Sequence, residues 1–208
     1  MECGEHGDNE FFYWDTEAVY VPFNREQAPL AMKLLKRIAI FLIVLIALLA
    51  VVGFFLPAQY RVERTATVKA PPENVFAIVA NMKTWEDWTA WNLQLDPSLK
   101  RSFSGPATGV GATMSWDGKK TGQGEMTLTK AVLPAELAYD LAFEHGKFKS
   151  VGTFTFEPAG DGTTVIWTDS GDMGGNPFYH WMGLAMDKLI GPDFEKGLAR
   201  LKTLAEKK

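Results

Sequence analysis

Cysteine is nearly absent from this chain: Cys3 is the only one, and none follows Met32. A disulfide framework, a thiol nucleophile and a zinc knuckle are therefore excluded from Met32 onward. A cysteine-free domain is compatible with an oxidising compartment. Histidine is scarce as well. His6, His145 and His180 show no metal-ligand spacing, so no metal site is expected. The sequence has no G-x-S-x-G, no H-E-x-x-H and no P-loop, and no cofactor is expected. "GVGAT" at 109–113 leads into a strand and not a helix, so it supplies turn glycines and no phosphate cradle. There is no basic stripe with interleaved aromatics, and nucleic acid is not an expected partner.

Charge is unevenly spread. Residues 1–31 carry seven acidic side chains against Arg25 alone, a net −6 within a chain total of −4, which leaves +2 for the rest. This leader lacks pattern, whereas "MKLLKR" from Met32 reads as a basic region opening a signal segment. We expect Met32 to be the true start and 1–31 to be an over-extended reading frame.

What the chain has in abundance is one apolar run. Residues 38–56, "IAIFLIVLIALLAVVGFFL", hold 19 residues without a charge. As a helix this spans roughly 28 Å, about the hydrocarbon thickness of a bilayer. Lys33, Lys36 and Arg37 crowd its N-terminal flank, while Arg61, Arg64 and Lys69 follow more loosely. The tighter cluster places the N-terminus in the cytoplasm and the C-terminal domain on the outer, periplasmic or extracytoplasmic side. "LPA" at 56–58 is a poor cleavage site, so residues 32–57 are read as an uncleaved signal anchor.

Residues 58–208 alternate like a sheet protein with a few helices. "YRVERTATV" puts Tyr60, Val62, Ala66 and Val68 on one face. "APPENVFAIVANM" opens with prolines and continues with Val75, Phe76 and Val79 at helical spacing. "WEDWTAW" holds Trp85, Trp88 and Trp91, which stack on one side if the stretch is helical. Strand patterns follow in Ala112, Met114 and Trp116, with Asp117-Gly118 as a hairpin signal. They continue in Met126 and Leu128, then in Leu137, Tyr139, Leu141 and Phe143, and in two strands across "PAGDG". A helix is expected from about Pro177 to Ala205, with Phe178, Met182, Met186 and Leu189 on one stripe and a kink or restart at Gly191-Pro192. The fold class is therefore α+β. A curved antiparallel sheet of six to seven strands wraps the long C-terminal helix, and one N-terminal transmembrane helix precedes it.

At this point the domain resembles the START-like superfamily, also called SRPBCC or polyketide cyclase/dehydrase-like, with its helix-grip fold. The segments that carry the resemblance are "APPENVFAIVANMKTWEDW", "SGPATGVGATMSW", "GTTVIW" and "IGPDFEKGLARLK", across residues 58–206. The resemblance is specific for fold and weak for function, because such domains include lipid carriers, hydrophobic-ligand binders, cyclases and co-chaperone-like modules. It also implies that the "GDMGGNPFYHW" connection borders a ligand opening.

Strand parity nominates the interior. Tyr139, Leu141, Phe143 and His145 follow one another at every second position, as do Trp167 and Asp169. Tyr139, His145 and Asp169 are the catalytic candidates, with Asp169 partnering His145. The apolar lining is expected from Trp85, Trp88, Trp91, Met114, Trp116, Tyr139, Leu141, Phe143, Trp167, Met182 and Met186. The leading reading is a membrane-anchored domain that holds a hydrophobic small molecule or lipid between sheet and helix, without catalysis. Two alternatives stay open: a cyclase/dehydratase-type enzyme using the His, Asp and Tyr, and a protein-interaction module with a filled cavity.

Overall fold

The structure is a computed structural model that describes residues 28–207, with side chains from Met32. The reading of 1–31 as a leader, with Cys3 and His6, lies outside the described residues apart from helical backbone at 28–31. The described residues fall into two compact units that divide within the first helix, after Leu45. Helix α1, Ala28–Phe55, begins in the first. Within it, Met32–Phe55 is long and apolar enough to cross a membrane.

The second unit contains seven strands: β1 (Gln59–Val68), β2 (Lys100–Ser104), β3 (Thr113–Gly118), β4 (Gly122–Val132), β5 (Glu136–Phe143), β6 (Phe148–Ala159) and β7 (Gly162–Asp172). They form one sheet in the order β1-β7-β6-β5-β4-β3-β2, every neighbour antiparallel. Helices α2 (Pro72–Ala80) and α3 (Trp85–Trp88) carry the chain from one edge to the other, and α4 (Pro177–Ala205) follows the last strand. The expected α+β helix-grip class is therefore what the chain adopts.

Alternation sets the faces. Val62 and Val68 of β1, Leu137 and Tyr139 of β5, Phe154 and Phe156 of β6, and Val165 and Trp167 of β7 are all buried on one side. Phe194, Leu198 and Leu201 of α4 close over them. Each fully buried leucine stabilises the domain by about 2 kcal/mol. A register shift between Leu128 and Lys130 leaves Thr129 as an extra residue on β4, and such bulges bend a sheet.

Four local expectations need correction. The β3–β4 turn is Lys119–Thr121, not Asp117-Gly118. Gly122 holds the left-handed position at φ 65°, which suits a three-residue connection. Segment 100–104, where no strand was expected, is strand β2 paired with β3. Helix α4 does not restart at Gly191-Pro192 but continues as one helix with Pro192 inside it. Here Arg64 reaches across from β1 to Asp187 and Glu195, and a Cβ at Gly191 would collide with its guanidinium. Finally, Phe178 and Leu189 are exposed, so the inward stripe at the start of α4 is Met182 and Met186 without them.

Candidate functional site

The curved sheet and α4 enclose a cavity of about 540 Å³, within the usual range for small-molecule sites. Its floor is the inward face of the strands: Met114 and Trp116 from β3, Met126 from β4, Tyr139, Leu141 and Phe143 from β5, and Trp167 from β7. Met182, Met186, Ile190 and Phe194 of α4 form the roof, and Trp85, Thr89, Trp91 and Leu95 form a side wall. A larger depression of about 850 Å³ lies on the opposite sheet face, among outward residues such as Arg61, Asp140, Lys149 and Val151. It lacks a cover, and we do not assign it as the site.

The tryptophans divide. α3 is a single turn that ends at Trp88, so Trp91 leaves the helix and takes its own direction. All three indoles converge on Trp167, with ring centroids 6.3 Å, 5.5 Å and 6.1 Å away for Trp85, Trp88 and Trp91. Trp167 also stacks on Phe194 at 3.8 Å. Trp85 and Trp91 reach the cavity, whereas Trp88 is fully buried in the core beneath it and does not line it. Arg101 pairs with Glu86 and donates to the Trp91 carbonyl, which ties this corner to β2.

The buried carboxylate of the cavity wall is Asp169. Asp169 is only 4 % exposed. Its Oδ1 accepts from Tyr60 Oη and its Oδ2 from Ser150 Oγ, each over 3.0 Å. Burial pushes its carboxyl up to about 6, against the lowering effect of those two hydrogen bonds. The same burial, and the Asp169 charge, raise both Tyr60 and Tyr139, so both phenols are neutral donors at physiological pH. Tyr139 Oη accepts from Trp167 Nε1 over 3.0 Å. Its own hydrogen has no acceptor among the described residues, so it is available to an oxygen of a bound molecule.

His145 does not join Tyr139 and Asp169. β5 ends at Phe143, and His145 is exposed in the turn to β6 with φ 56°. The strand's alternation stops at Phe143, so the expected His145–Asp169 pairing is not made. Tyr60 and Ser150 occupy the place expected for that histidine. Tyr60 was legible on the inward face of β1, but Ser150 needed the β6 register. Among the described residues no group of three His, Cys, Asp or Glu side chains is arranged to hold a metal ion.

Three strand glycines make the aromatic floor possible. Trp116 pairs with Gly124, Tyr139 with Gly152 and Tyr60 with Gly171 across neighbouring strands. In each case a Cβ on the glycine would overlap the ring. Glycine within a strand marks such close approach. The rings lie against the sheet, and the space above them stays open.

A family model described as polyketide cyclase/dehydrase and lipid transport matches residues 59–206. Comparison with curated proteins returned no match. Among solved structures, the di-domain ARO/CYC StfQ from the steffimycin biosynthetic pathway is similar with a TM-score of 0.55 at 9 % identity, covering 72 % of this chain and 51 % of that one. The di-domain ARO/CYC BexL from the BE-7585A pathway gives 0.52 at 14 % identity, over 72 % and 50 %. The chain thus spans about half of each di-domain protein. Ara h 8.0201 gives 0.52 at 12 % identity, over 72 % of this chain and 99 % of its own. At these identities the likeness concerns the fold.

Proposed function

The chain belongs to the polyketide cyclase/dehydrase and lipid transport family, and from that premise we propose that it is a membrane-anchored binder of a hydrophobic small molecule or lipid. Residues 32–57 act as the anchor, with the N-terminus cytoplasmic and the domain 58–208 on the outer side. The observation that carries this reading is the cavity between sheet and α4, walled by tryptophan, methionine and phenylalanine with Asp169 as its buried acid. The apolar body of the ligand lies between Trp91, Met114 and Met186. Its polar end meets Tyr139 and the Tyr60–Asp169–Ser150 group. A ligand hydroxyl or amine suits Asp169 as acceptor, and a carbonyl suits Tyr139 as donor.

The cyclase alternative is favoured by one observation: a carboxyl titrating at about 6 beside two neutral phenols is placed for proton transfer. The interaction-module alternative gains no such support, since Trp85 and Trp88 are buried and the interior holds open space.

Titration of the full chain in detergent with an apolar fluorescent naphthalene sulfonate tests the reading. We expect saturable energy transfer from tryptophan to dye, abolished by the cavity-filling substitution Met114→Trp with the melting temperature retained. Dye uptake unaffected by Met114→Trp would place binding outside the cavity and overturn the reading.

A further inference from the structure

The last turns of α1 and the first turns of α4 lie in the same unit and touch. Trp181 Nε1 donates to the Leu49 carbonyl over 3.0 Å. His180 reaches the Gly53 carbonyl with Nδ1 at 2.7 Å and the Gly174 carbonyl with Nε2 at 2.8 Å. A Cβ at Gly53 would collide with the Pro177 carbonyl. Leu49 and Gly53 both belong to the apolar stretch Met32–Phe55. Leu49 lies about 9 Å along the helix from Phe55, given the helical rise. The start of α4 is thus fastened beside the terminal turns of the segment read as the membrane span, and not beyond them.

On this part of α4, large apolar side chains face outward. Phe178 is 45 % exposed, Trp181 37 % and Leu184 53 %. At 100° per residue, Phe178, Trp181, Ala185 and Lys188 form one stripe with Leu184 at its flank. A tryptophan and a lysine bordering an apolar patch suit the water–lipid boundary. The adjoining arc of the same helix, Met182 and Met186, lines the cavity, as do Met173 and Phe148 at this end of the sheet.

We propose that the outward face of the first two turns of α4, Phe178, Trp181 and Leu184, rests on the bilayer entered by α1, so that ligand enters the cavity from the lipid phase beside Met173 and Met182. This rests on the anchor reading above and not on the identity of any ligand. The domain is a cup held with its rim on the membrane, and the glycine-containing connection 173–176 forms part of that rim.

The test uses the full chain with Cys3→Ser and one new cysteine, carrying an environment-sensitive fluorophore, in nanodiscs of phosphatidylcholine with a minority of phosphatidylglycerol. Leu184→Cys and, independently, Phe178→Cys report the proposed surface. Leu133→Cys, on the exposed β4–β5 turn, is the reference. We expect blue-shifted emission at 184 and 178, with quenching by headgroup-level nitroxide lipids and protection from aqueous iodide. The probe at 133 should show the opposite pattern. Iodide access at 178 and 184 equal to that at 133 overturns the proposal, whether the face is free or covered by protein that admits iodide. Protection without nitroxide quenching overturns it in favour of a second copy or another protein. Val44→Cys, within the apolar stretch of α1, reads the anchor with the same quenchers, so that iodide access there as well overturns the anchor reading, and dye uptake on the same samples reads the cavity. A lipid-quenched surface without dye uptake overturns the cavity reading alone, and dye uptake with an iodide-accessible surface and a protected probe at 44 overturns this one alone.

Discussion

Tyr139 lies across Gly152, its cross-strand partner, in a space that a single methyl group would fill. The ring is held there by the Trp167 indole, which donates to its hydroxyl, and by edge contact with Trp85 at 5.7 Å. One glycine thereby sets the height of the cavity floor and the position of its free donor.

Gly152→Ala is expected to lift Tyr139 off the sheet, break its bond with Trp167 and shrink the cavity. Overpacking of this kind costs about 1–3 kcal/mol. Chemical denaturation and dye titration together check it. Unchanged stability with unchanged dye affinity would show that the ring's position is not set by Gly152.

Asp169 makes stability depend on pH in a stated direction. Its carboxyl stands at about 6 in the folded chain against an ordinary 3.8. A group raised on folding gives stability that is fully present below the unfolded value and is lost as pH rises through the folded one. The domain should therefore lose stability between about pH 4 and pH 6, by on the order of 3 kcal/mol. Asp169→Asn should flatten that part of the profile while weakening any ligand that needs the acceptor. Thermal unfolding across the window, for both proteins, decides it.

His180 predicts a second pH effect. Both ring nitrogens face carbonyl oxygens, and only the doubly protonated ring donates to both. Its pKa is accordingly raised, first by Gly174 and then by Gly53. The fastening of α4 to α1 is complete below the ordinary value for histidine and is lost as pH rises through the higher folded one. Amide exchange in segment 173–176 should accelerate across that range, and His180→Gln should show fast exchange at every pH. A profile identical in wild type and His180→Gln would remove this role.

Much of the architecture was written in period-two and period-3.6 patterns, and those held where an element was long. β1, β5 and β7 each showed their inward residues directly, whereas the stripe read on α4 placed Met182 and Met186 rightly and Phe178 and Leu189 wrongly. The errors came at ends and pairings. His145 failed because a strand's parity says nothing about where the strand stops. Trp91 was grouped with Trp85 and Trp88 by a spacing that holds only inside a helix, and α3 is one turn. Ser150, Arg64 and the paired glycines depend on which residues face each other across strands, and that register is fixed by the assembled sheet. Arg64 illustrates the point: it occupies an inward position of β1, yet its charge is met by Asp187 and Glu195 over Gly191.

The central claim is that the space between the sheet and α4 holds a hydrophobic molecule. Native mass spectrometry of the full chain, purified gently in nanodiscs and released in the gas phase, tests it most directly. The account predicts a discrete added mass that extracts into organic solvent and is missing from Met114→Trp. A bare chain mass in both proteins, with no mass gained on exposure to a panel of lipids and polycyclic aromatics, would contradict it.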